Sequence, residues 1–152
     1  MDNDNNINDM DFKDELVDSE TIKQEVDKGV TNNSIKLHKL VENLGLEVVH
    51  QSSNYHEISL HNADVNRPGL QLTGYLEEFP YQRIQVIGSV EYQYLTGLDS
   101  KLQYERFRGI LSYDIPAVIF SYNADINKDI KDLADYYDKT LLRSPEKTTK
   151  LI

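Results

Sequence analysis

Several features that many functional sites require are absent from this sequence. None of its 152 residues is cysteine, which excludes disulfide bonds, thiolate catalysis and most zinc sites, and agrees with a reducing compartment. No apolar run approaches the roughly 18 residues of a membrane-spanning helix, and the N-terminus has neither the basic nor the apolar region of a signal peptide. We therefore expect a cytoplasmic protein.

Positive charge is also scarce. The chain has 16 Lys and Arg against 26 Asp and Glu, a net charge of −10, and a pI near 4.7. Such a chain repels phosphate backbones and anionic lipids, and no basic patch reverses this locally. We expect neither nucleic acid nor a membrane surface as a partner.

The acidic residues are concentrated at the N-terminus. Residues 1–30 contain ten acidic and three basic side chains, and so carry −7 of the net charge. A segment with this charge and few large apolar residues buries too little surface to offset its chain entropy. We predict a disordered acidic leader over residues 1–33 and one α/β domain over residues 34–152. A short amphipathic turn around Leu16, Val17 and Ile22 is the alternative for part of the leader.

Apolar periodicity predicts alternating helices and strands. A first helix is expected from an N-cap at Ser34 to a stop at Gly45, with four apolar residues at helical spacing: Leu37, Leu40, Val41 and Leu44. Further helices are expected after residue 88, with a break near Gly97, and over residues 127–139. Strands are predicted over residues 46–50, 56–61, 83–88, 116–121 and 140–144. This alternation favours an α/β fold with a mostly parallel sheet flanked by helices.

The stretch NRPGLQLTGY has two glycines five positions apart, Gly69 and Gly74. This is the outer spacing of a phosphate-binding P-loop, in which a Lys and a Ser or Thr follow the second glycine. Tyr75 and Leu76 occupy those positions here. The stretch is therefore interpreted as a bend shaped by Pro68, with its leucines facing the sheet.

Asn66, Arg67 and Gly69 are the candidate ligand-binding residues. Pro68 suits the first position of a helix, and a guanidinium beside a helix N-terminus could bind a small anion. The competing interpretation, which we favour, is that Arg67 forms an ion pair with Asp64 or Glu78 and holds the loop in place.

No catalytic or metal-binding constellation emerges from the remaining residues. His38, His50, His56 and His61 lack the spacing of paired zinc ligands. Glu77 and Glu78 are adjacent, so on a regular element they point in different directions. We therefore predict no catalytic residue and no metal site in this chain.

Five stretches, taken in order, resemble the N-terminal domain of bacterial HPr kinase/phosphorylase. They are VENLGLEVV (41–49), ADVNRPGLQLTGY (63–75), RIQVIGSVEYQYL (83–95), PAVIFS (116–121) and LLRSPEKTTKLI (141–152). The resemblance implies a fold similar to the N-terminal domain of Mur ligases. It also implies that SPEKTTKLI leads into a linking helix and a second domain, so the chain would end at a domain boundary.

The same resemblance implies a function. Members of this family phosphorylate a serine of the phosphocarrier HPr with ATP or pyrophosphate, reverse that reaction, and control carbon catabolite repression. Their P-loop, catalytic residues and Mg²⁺ belong to the second domain, which also forms most of the hexamer. We therefore expect this chain to be a regulatory, non-catalytic domain that binds no cofactor itself, with HPr as the partner of the full-length enzyme.

Two other functions remain open. One is a ligand-binding module for a nucleotide-sugar or a phosphorylated metabolite near Asn66, Arg67 and Gly69. The other is a docking module for HPr or a sister subunit, which predicts an exposed apolar patch larger than a few hundred Å².

Overall fold

A computed structural model describes residues 20–26, 34–61, 65–121 and 123–144. A helical segment over residues 20–26 precedes the main elements. The helices that follow are α1 (Leu37–Leu44), α2 (Gly69–Leu72), α3 (Ser89–Gly97), α4 (Ser100–Leu111) and α5 (Lys128–Tyr137). The strands are β1 (Ile35–Lys36), β2 (Glu47–His50), β3 (Ser59–Leu60), β4 (Val65–Asn66), β5 (Ile84–Ile87), β6 (Val118–Phe120) and β7 (Leu141–Arg143).

Five strands form a mixed sheet in the order β2-β7-β6-β5-β4. The neighbours from β4 to β7 are parallel, and β2 pairs with β7 antiparallel at the edge. Parallel strands need crossover connections, and the helices between β4 and β7 supply them. The predicted α/β fold with a mostly parallel sheet and flanking helices is confirmed. Its similarity to the Mur ligase domain stays a prediction.

The sheet is covered on both faces by apolar side chains. Ile87, Phe120 and Leu141 belong to one cluster, with Leu95, Phe107 and Ile110 from the helices. Ile84, Val86, Ile119 and Leu142 belong to a second cluster, with the apolar stripe of α1. Successive strand residues point to opposite faces, so continuous apolar runs such as PAVIFS are buried on both sides, as predicted.

The first helix begins later than predicted. Ser34 is not its N-cap: the N-cap is Lys36, whose side chain makes no capping hydrogen bond. Residues 35 and 36 pair instead with β3 as a two-stranded ribbon, and the first helical N–H, that of Leu37, donates to the carbonyl of Ile58 at 3.0 Å. The end of the helix is as predicted, because Gly45 adopts the left-handed conformation with φ 64°.

The ribbon also changes the assignment of residues 56–61. Only Ser59–Leu60 form a strand there, and this strand pairs with β1 outside the main sheet. The break between the two middle helices is also as predicted. The helix α3 ends at Gly97, and Asp99 caps α4 by accepting from the Leu102 N–H at 2.9 Å.

Part of the predicted leader belongs to the folded domain. In the helical segment 20–26, Ile22 and Val26 are 1% and 0% exposed and join the cluster that α1 covers. Asn43 of α1 also donates to Glu25 of this segment at 3.4 Å. A spacing of four places Ile22 and Val26 on one side of the helix, and tertiary contact with α1 supplies their burial. Residues 1–19 and 27–33 lie outside the described part, so the disorder expected there stays a prediction, as does the turn at Leu16 and Val17.

Hydrogen bonds attach the loop after β2 to the connection between α5 and β7. Asp138 accepts from the Ser53 N–H at 2.7 Å and from the Ser53 hydroxyl. His50 Nδ1 donates to the Lys139 carbonyl at 2.8 Å, and the Ser52 N–H donates to the Thr140 hydroxyl at 3.1 Å. These bonds span about 88 residues of sequence and fix one end of the sheet.

Among the described residues, none of the helices combines the length and the apolar character needed to cross a lipid bilayer.

Replacing Ile22 with Ala tests whether segment 20–26 is part of the core. We expect the free energy of unfolding to fall by about 2–5 kcal/mol, since a buried aliphatic side chain is lost and a cavity remains. Gln24→Ala, at an exposed position of the same helix, is the control and should change stability by less than about 0.5 kcal/mol. Equal effects of the two changes, measured by urea unfolding, would show that the segment is not packed.

Replacing Asp138 with Asn tests the attachment of the loop after β2. The pKa of Asp138 is lowered from 3.8, first because the Ser53 hydroxyl donates to the carboxylate and next because the Ser53 N–H does. A lowered folded-state pKa stabilises the protein above the unfolded-state value, and that contribution is lost as pH falls through the folded-state value. We therefore expect the native chain to lose more stability between about pH 6 and about pH 3 than Asp138→Asn does.

Urea unfolding at a series of pH values checks this expectation. Asn tolerates the left-handed backbone that Asp138 adopts, with φ 55°, so the variant isolates the charge. Ser53→Ala, which removes one of the two donors, should give an intermediate pH dependence. Identical pH dependence of the native chain and Asp138→Asn would contradict the assignment.

Candidate functional site

The structure places the three predicted ligand-binding residues together at one edge of the sheet. Asn66 is the last residue of β4, Arg67 follows it, and Gly69 begins α2. They lie beside the end of β5 and the start of α3, at the carboxyl ends of two parallel strands. Ligands of open α/β sheets bind preferentially at this end. The location therefore agrees with a binding site, and the contacts decide what each residue does there.

Arg67 forms an ion pair with Glu91. Its Nε donates to Glu91 Oε1 at 2.7 Å, and the two side chains are 24% and 9% exposed. The same carboxylate oxygen accepts from the Gly88 N–H at 2.8 Å, so Glu91 also satisfies an open donor at the N-terminus of α3. The ion pair thus ties the loop after β4 to the helix after β5.

The sequence had indicated other partners for Arg67. Asp64 lies outside the described residues, and Glu91 is 24 positions further along the chain than Arg67. Glu91 comes within reach because β4 and β5 are adjacent and parallel, so the segments that follow them meet at one edge. Sequence spacing alone carries no signal for this pair.

Asn66 is part of a network of amide side chains. Its Nδ2 donates to Gln85 Oε1 at 2.7 Å and lies 3.4 Å from Gln71 Oε1. Gln85 is fully buried, and its Nε2 donates to the carbonyls of Arg83 and Pro80 at 2.9 and 3.2 Å. Buried amides require such partners. The described bonds of Asn66 therefore hold the edge strand in register.

Gly69 is not required by the backbone geometry. A Cβ atom built there would lie 4.0 Å from Glu91 Cγ, an ordinary contact. The helix it begins has only four residues, Gly69–Leu72, and provides few aligned peptide dipoles for an anion. Of the two leucines in the bend, Leu72 is buried as predicted, but Leu70 is 57% exposed. Ligand binding by Asn66, Arg67 and Gly69 stays a prediction.

Two of the four histidines are neighbours, and the other two lie elsewhere. His38 and His56 pack against each other with ring centroids 5.2 Å apart, next to Tyr55. His50 contacts the α5–β7 connection, and His61 is exposed. In the part of the chain that the structure describes, no three His, Asp or Glu side chains come together in a way that could hold a metal ion.

A cavity of about 520 Å³ lies at the opposite end of the sheet, where the parallel strands begin. Its walls come from the loop after β2, the segment around β3, and the residues that precede β5, β6 and β7. Five lining residues carry hydroxyl or amide groups: Ser52, Asn54, Ser59, Gln82 and Thr140. Three are aliphatic: Ile58, Ile115 and Pro116. The volume lies within the range of roughly 300–1,000 Å³ that is usual for small-molecule sites.

Charged groups complete the cavity. Lys139, whose side chain is 15% exposed, lies 3.6 Å from Asp114 Oδ1, and the Asp114 side chain is 95% exposed at the rim. Asp138 and His61 also line the cavity. The sequence shows no motif for this site, because its residues come from four separate stretches of the chain: 52–61, 82, 114–116 and 138–140. The only signal was the loss of apolar periodicity in those stretches, which does not distinguish a binding site from ordinary turns.

Comparison with known proteins identifies relatives of the chain. The family model described as HPr Serine kinase N terminus matches residues 35–152. HPr kinase/phosphorylase of Alkaliphilus metalliredigens is 40% identical over 119 residues, which are 78% of this chain and 38% of that protein. The Thermoanaerobacter sp. protein of the same name is 38% identical over 120 residues, 79% of this chain and 39% of that protein. The chain thus spans about two fifths of the length of these curated relatives.

One solved structure has a similar fold. It contains the CBS and DRTGG domains of the regulatory region of Clostridium perfringens pyrophosphatase, in complex with the activator diadenosine tetraphosphate. The TM-score is 0.51 and the sequence identity 15%, over 83% of this chain and 46% of that chain. The likeness is one of fold.

Because the family model covers most of the chain, from residue 35 to residue 152, the chain belongs to the family of HPr serine kinase N-terminal domains.

Proposed function

We propose that this chain acts as the N-terminal regulatory domain of an HPr serine kinase/phosphorylase and does not itself transfer phosphate. The observation that carries the proposal is the family match over residues 35–152, together with relatives named HPr kinase/phosphorylase that are 40% and 38% identical. In this proposal HPr is the partner of the full-length enzyme, a hexamer formed mainly by its catalytic domain, and the biological role is in carbon catabolite repression.

The local structure supports the non-catalytic role. A P-loop surrounds phosphate with successive backbone N–H groups. Between Gly69 and Gly74 the backbone instead forms a single helical turn, and its N–H groups at Leu72, Thr73 and Gly74 donate to carbonyls of that same turn. The Arg106 guanidinium lies against Gly74, 3.6 Å from where a Cβ atom would be. We propose that ATP and Mg²⁺ are bound by a catalytic domain such as the family has, and that this chain needs no cofactor.

A phosphorylation assay tests the proposal directly. We expect the 152-residue chain, incubated with HPr, Mg²⁺ and either ATP or pyrophosphate, to produce no phosphoserine above the enzyme-free blank. The Alkaliphilus metalliredigens relative is the positive control. Phosphorylation of HPr by the chain alone would refute the proposal.

A chimera tests the regulatory part of the proposal. The part of this chain that aligns with the same relative over 119 residues would replace the corresponding part of that relative. We expect the chimera to phosphorylate HPr but to respond differently to metabolites that modulate the relative. The reason is that a regulatory domain couples metabolite binding to the activity of the catalytic domain and does not carry out phosphate transfer itself. Coupling of this kind typically changes effector affinity by about 5- to 150-fold. A chimera with the relative's own response to every metabolite tested would argue against a regulatory role.

A second candidate function is the binding of a nucleotide-sugar or a phosphorylated metabolite at Asn66, Arg67 and Gly69. Two observations favour it: these residues lie together at the carboxyl ends of β4 and β5, and the fold resembles a regulatory region solved with an activator nucleotide. The ion pair between Arg67 and Glu91 opposes it, because an anionic ligand would have to displace a carboxylate at 2.7 Å. Docking of HPr or a sister subunit stays a third hypothesis.

Replacing Arg67 with Ala separates the structural and ligand-binding roles. We expect the free energy of unfolding to fall by about 1–3 kcal/mol, since the buried Glu91 carboxylate loses a charged donor. Combining Arg67→Ala with Glu91→Gln should restore part of this loss, because the uncompensated charge is then removed.

Calorimetric titration with uridine diphosphate glucose supplies the other half of this test. Saturable binding that disappears in Arg67→Ala, with unfolding unchanged, would support the ligand-binding role and contradict the structural one. Lys101→Ala, which removes an exposed cation from α4, controls for a general change in charge.

A further inference from the structure

The cavity between the loop after β2 and the α5–β7 connection has no part in the functions proposed above. It lies at the amino ends of the parallel strands, whereas Asn66 and Arg67 lie at the carboxyl end of β4. Its volume of about 520 Å³ is sufficient for a small organic molecule. The chemistry of its walls indicates what kind of molecule this would be.

Hydrogen bonds hold the two most buried residues of the lining in place. Ser52 and Thr140 are 2% and 0% exposed. The Thr140 hydroxyl donates to Ser52 Oγ at 2.8 Å, and the Ser52 hydroxyl donates to Asn54 Oδ1 at 2.8 Å. This chain of bonds occupies the amide oxygen of Asn54 and leaves its Nδ2 group as a donor. Because protein contacts already hold these groups, a ligand would order few additional side chains on binding.

The charges of the cavity disfavour an anionic ligand. Lys139 provides one positive charge, whereas Asp114 and Asp138 provide two negative ones. Among the described residues that line the cavity, none is Arg, the residue suited to bidentate phosphate recognition, and none is Phe, Tyr or Trp, on which a nucleobase would stack. A phosphate group would meet two carboxylates and a single, already paired ammonium group.

The polar groups match a ligand rich in hydroxyls. An ammonium group has three N–H donors. Lys139 Nζ and Asp114 Oδ1 are 3.6 Å apart, close enough for an ion pair but longer than a hydrogen bond. One ligand hydroxyl can donate to a carboxylate while its neighbour accepts from the ammonium group, and both bonds are strengthened by charge. Ile58, Ile115 and Pro116 provide an apolar surface for C–H groups.

We infer that this cavity binds an uncharged, polyhydroxylated molecule of about monosaccharide size, with adjacent hydroxyls held between Lys139 and Asp114. The inference concerns a site other than Asn66, Arg67 and Gly69, and it does not require HPr phosphorylation. It can therefore fail or succeed independently of the proposed function.

Titration of the ¹⁵N-labelled chain followed by NMR tests the inference. The probes are methyl α-D-glucopyranoside, D-sorbitol and D-glucose 6-phosphate. We expect saturable shifts of the Ser52 and Thr140 amide signals with at least one uncharged probe, and binding of the phosphate ester at least about tenfold weaker because of the two carboxylates. Tighter binding of the phosphate ester, or no saturable shift with either uncharged probe, would overturn the inference.

Matched variants locate the binding. Lys139→Met and Asp114→Asn should each weaken binding of the uncharged probe by about tenfold or more, since each removes a charge-assisted hydrogen bond. The controls are Lys128→Met and Asp132→Asn, which alter an exposed Lys–Asp pair on α5 with a separation of 2.8 Å. Equal losses in the cavity and control variants would exclude the cavity as the site.

Asp114→Asn keeps the test valid if Lys139→Met does not fold. Its side chain is 95% exposed, so the substitution should leave the dispersion of the amide spectrum unchanged even if Lys139→Met does not. Unchanged probe affinity in a folded Asp114→Asn variant would contradict the role assigned to this carboxylate and with it the inference.

Discussion

The parallel pairing of β5 with β6 is the interaction on which the rest of the fold depends. Its register sets Val86 beside Ile119 and Ile87 beside Phe120, and all four residues are at most 1% exposed. Because neighbouring residues on a strand face opposite sides, this pair of strands contributes to both apolar clusters at once. The helices cover the two faces, while β4 and β7 extend the sheet on either side. Each fully buried aliphatic or aromatic side chain stabilises the fold by about 1.5–3 kcal/mol relative to its exposed state.

Polar side chains form hydrogen bonds and an ion pair at the ends of the sheet, where the apolar clusters do not reach. The edge strand β4 has only two residues, and the Asn66–Gln85 and Arg67–Glu91 bonds join it and the following loop to β5 and α3. At the other end, Asp138, Lys139 and Thr140 attach the loop after β2. Buried polar groups are costly without partners, so these bonds favour one register over its alternatives. The result is a sheet with two differently built ends, one closed by an ion pair and the other containing a cavity.

Much of the fold could be predicted because local patterns and tertiary structure agree. The strands β5 and β6 are recognisable from their apolar runs. The helix α1 ends at Gly45, which adopts a left-handed conformation, and the helical pattern is interrupted at Gly97. Each of these signals is local in the sequence. Ser34 fails as an N-cap because pairing of the next two residues with β3 overrides the local capping preference. The high negative charge of residues 1–33 predicts disorder there, although the segment includes the apolar residues Ile22 and Val26. Contact with α1 reverses that assignment.

The sequence by itself determined the order of the longer helices and of the strands β2, β5, β6 and β7, the two-sided burial of the central strands and membership of the family, since each is carried by residues close together in the chain. Only the tertiary structure decided the pairing of Arg67 with Glu91, the folding of residues 20–26 with the domain and the existence of the cavity. Each of these depends on side chains brought together from distant segments, such as Ser52 with Thr140 and Arg67 with Glu91. The physical reason is that a hydrogen bond depends on separation in space, and sheet pairing sets that separation independently of distance along the chain.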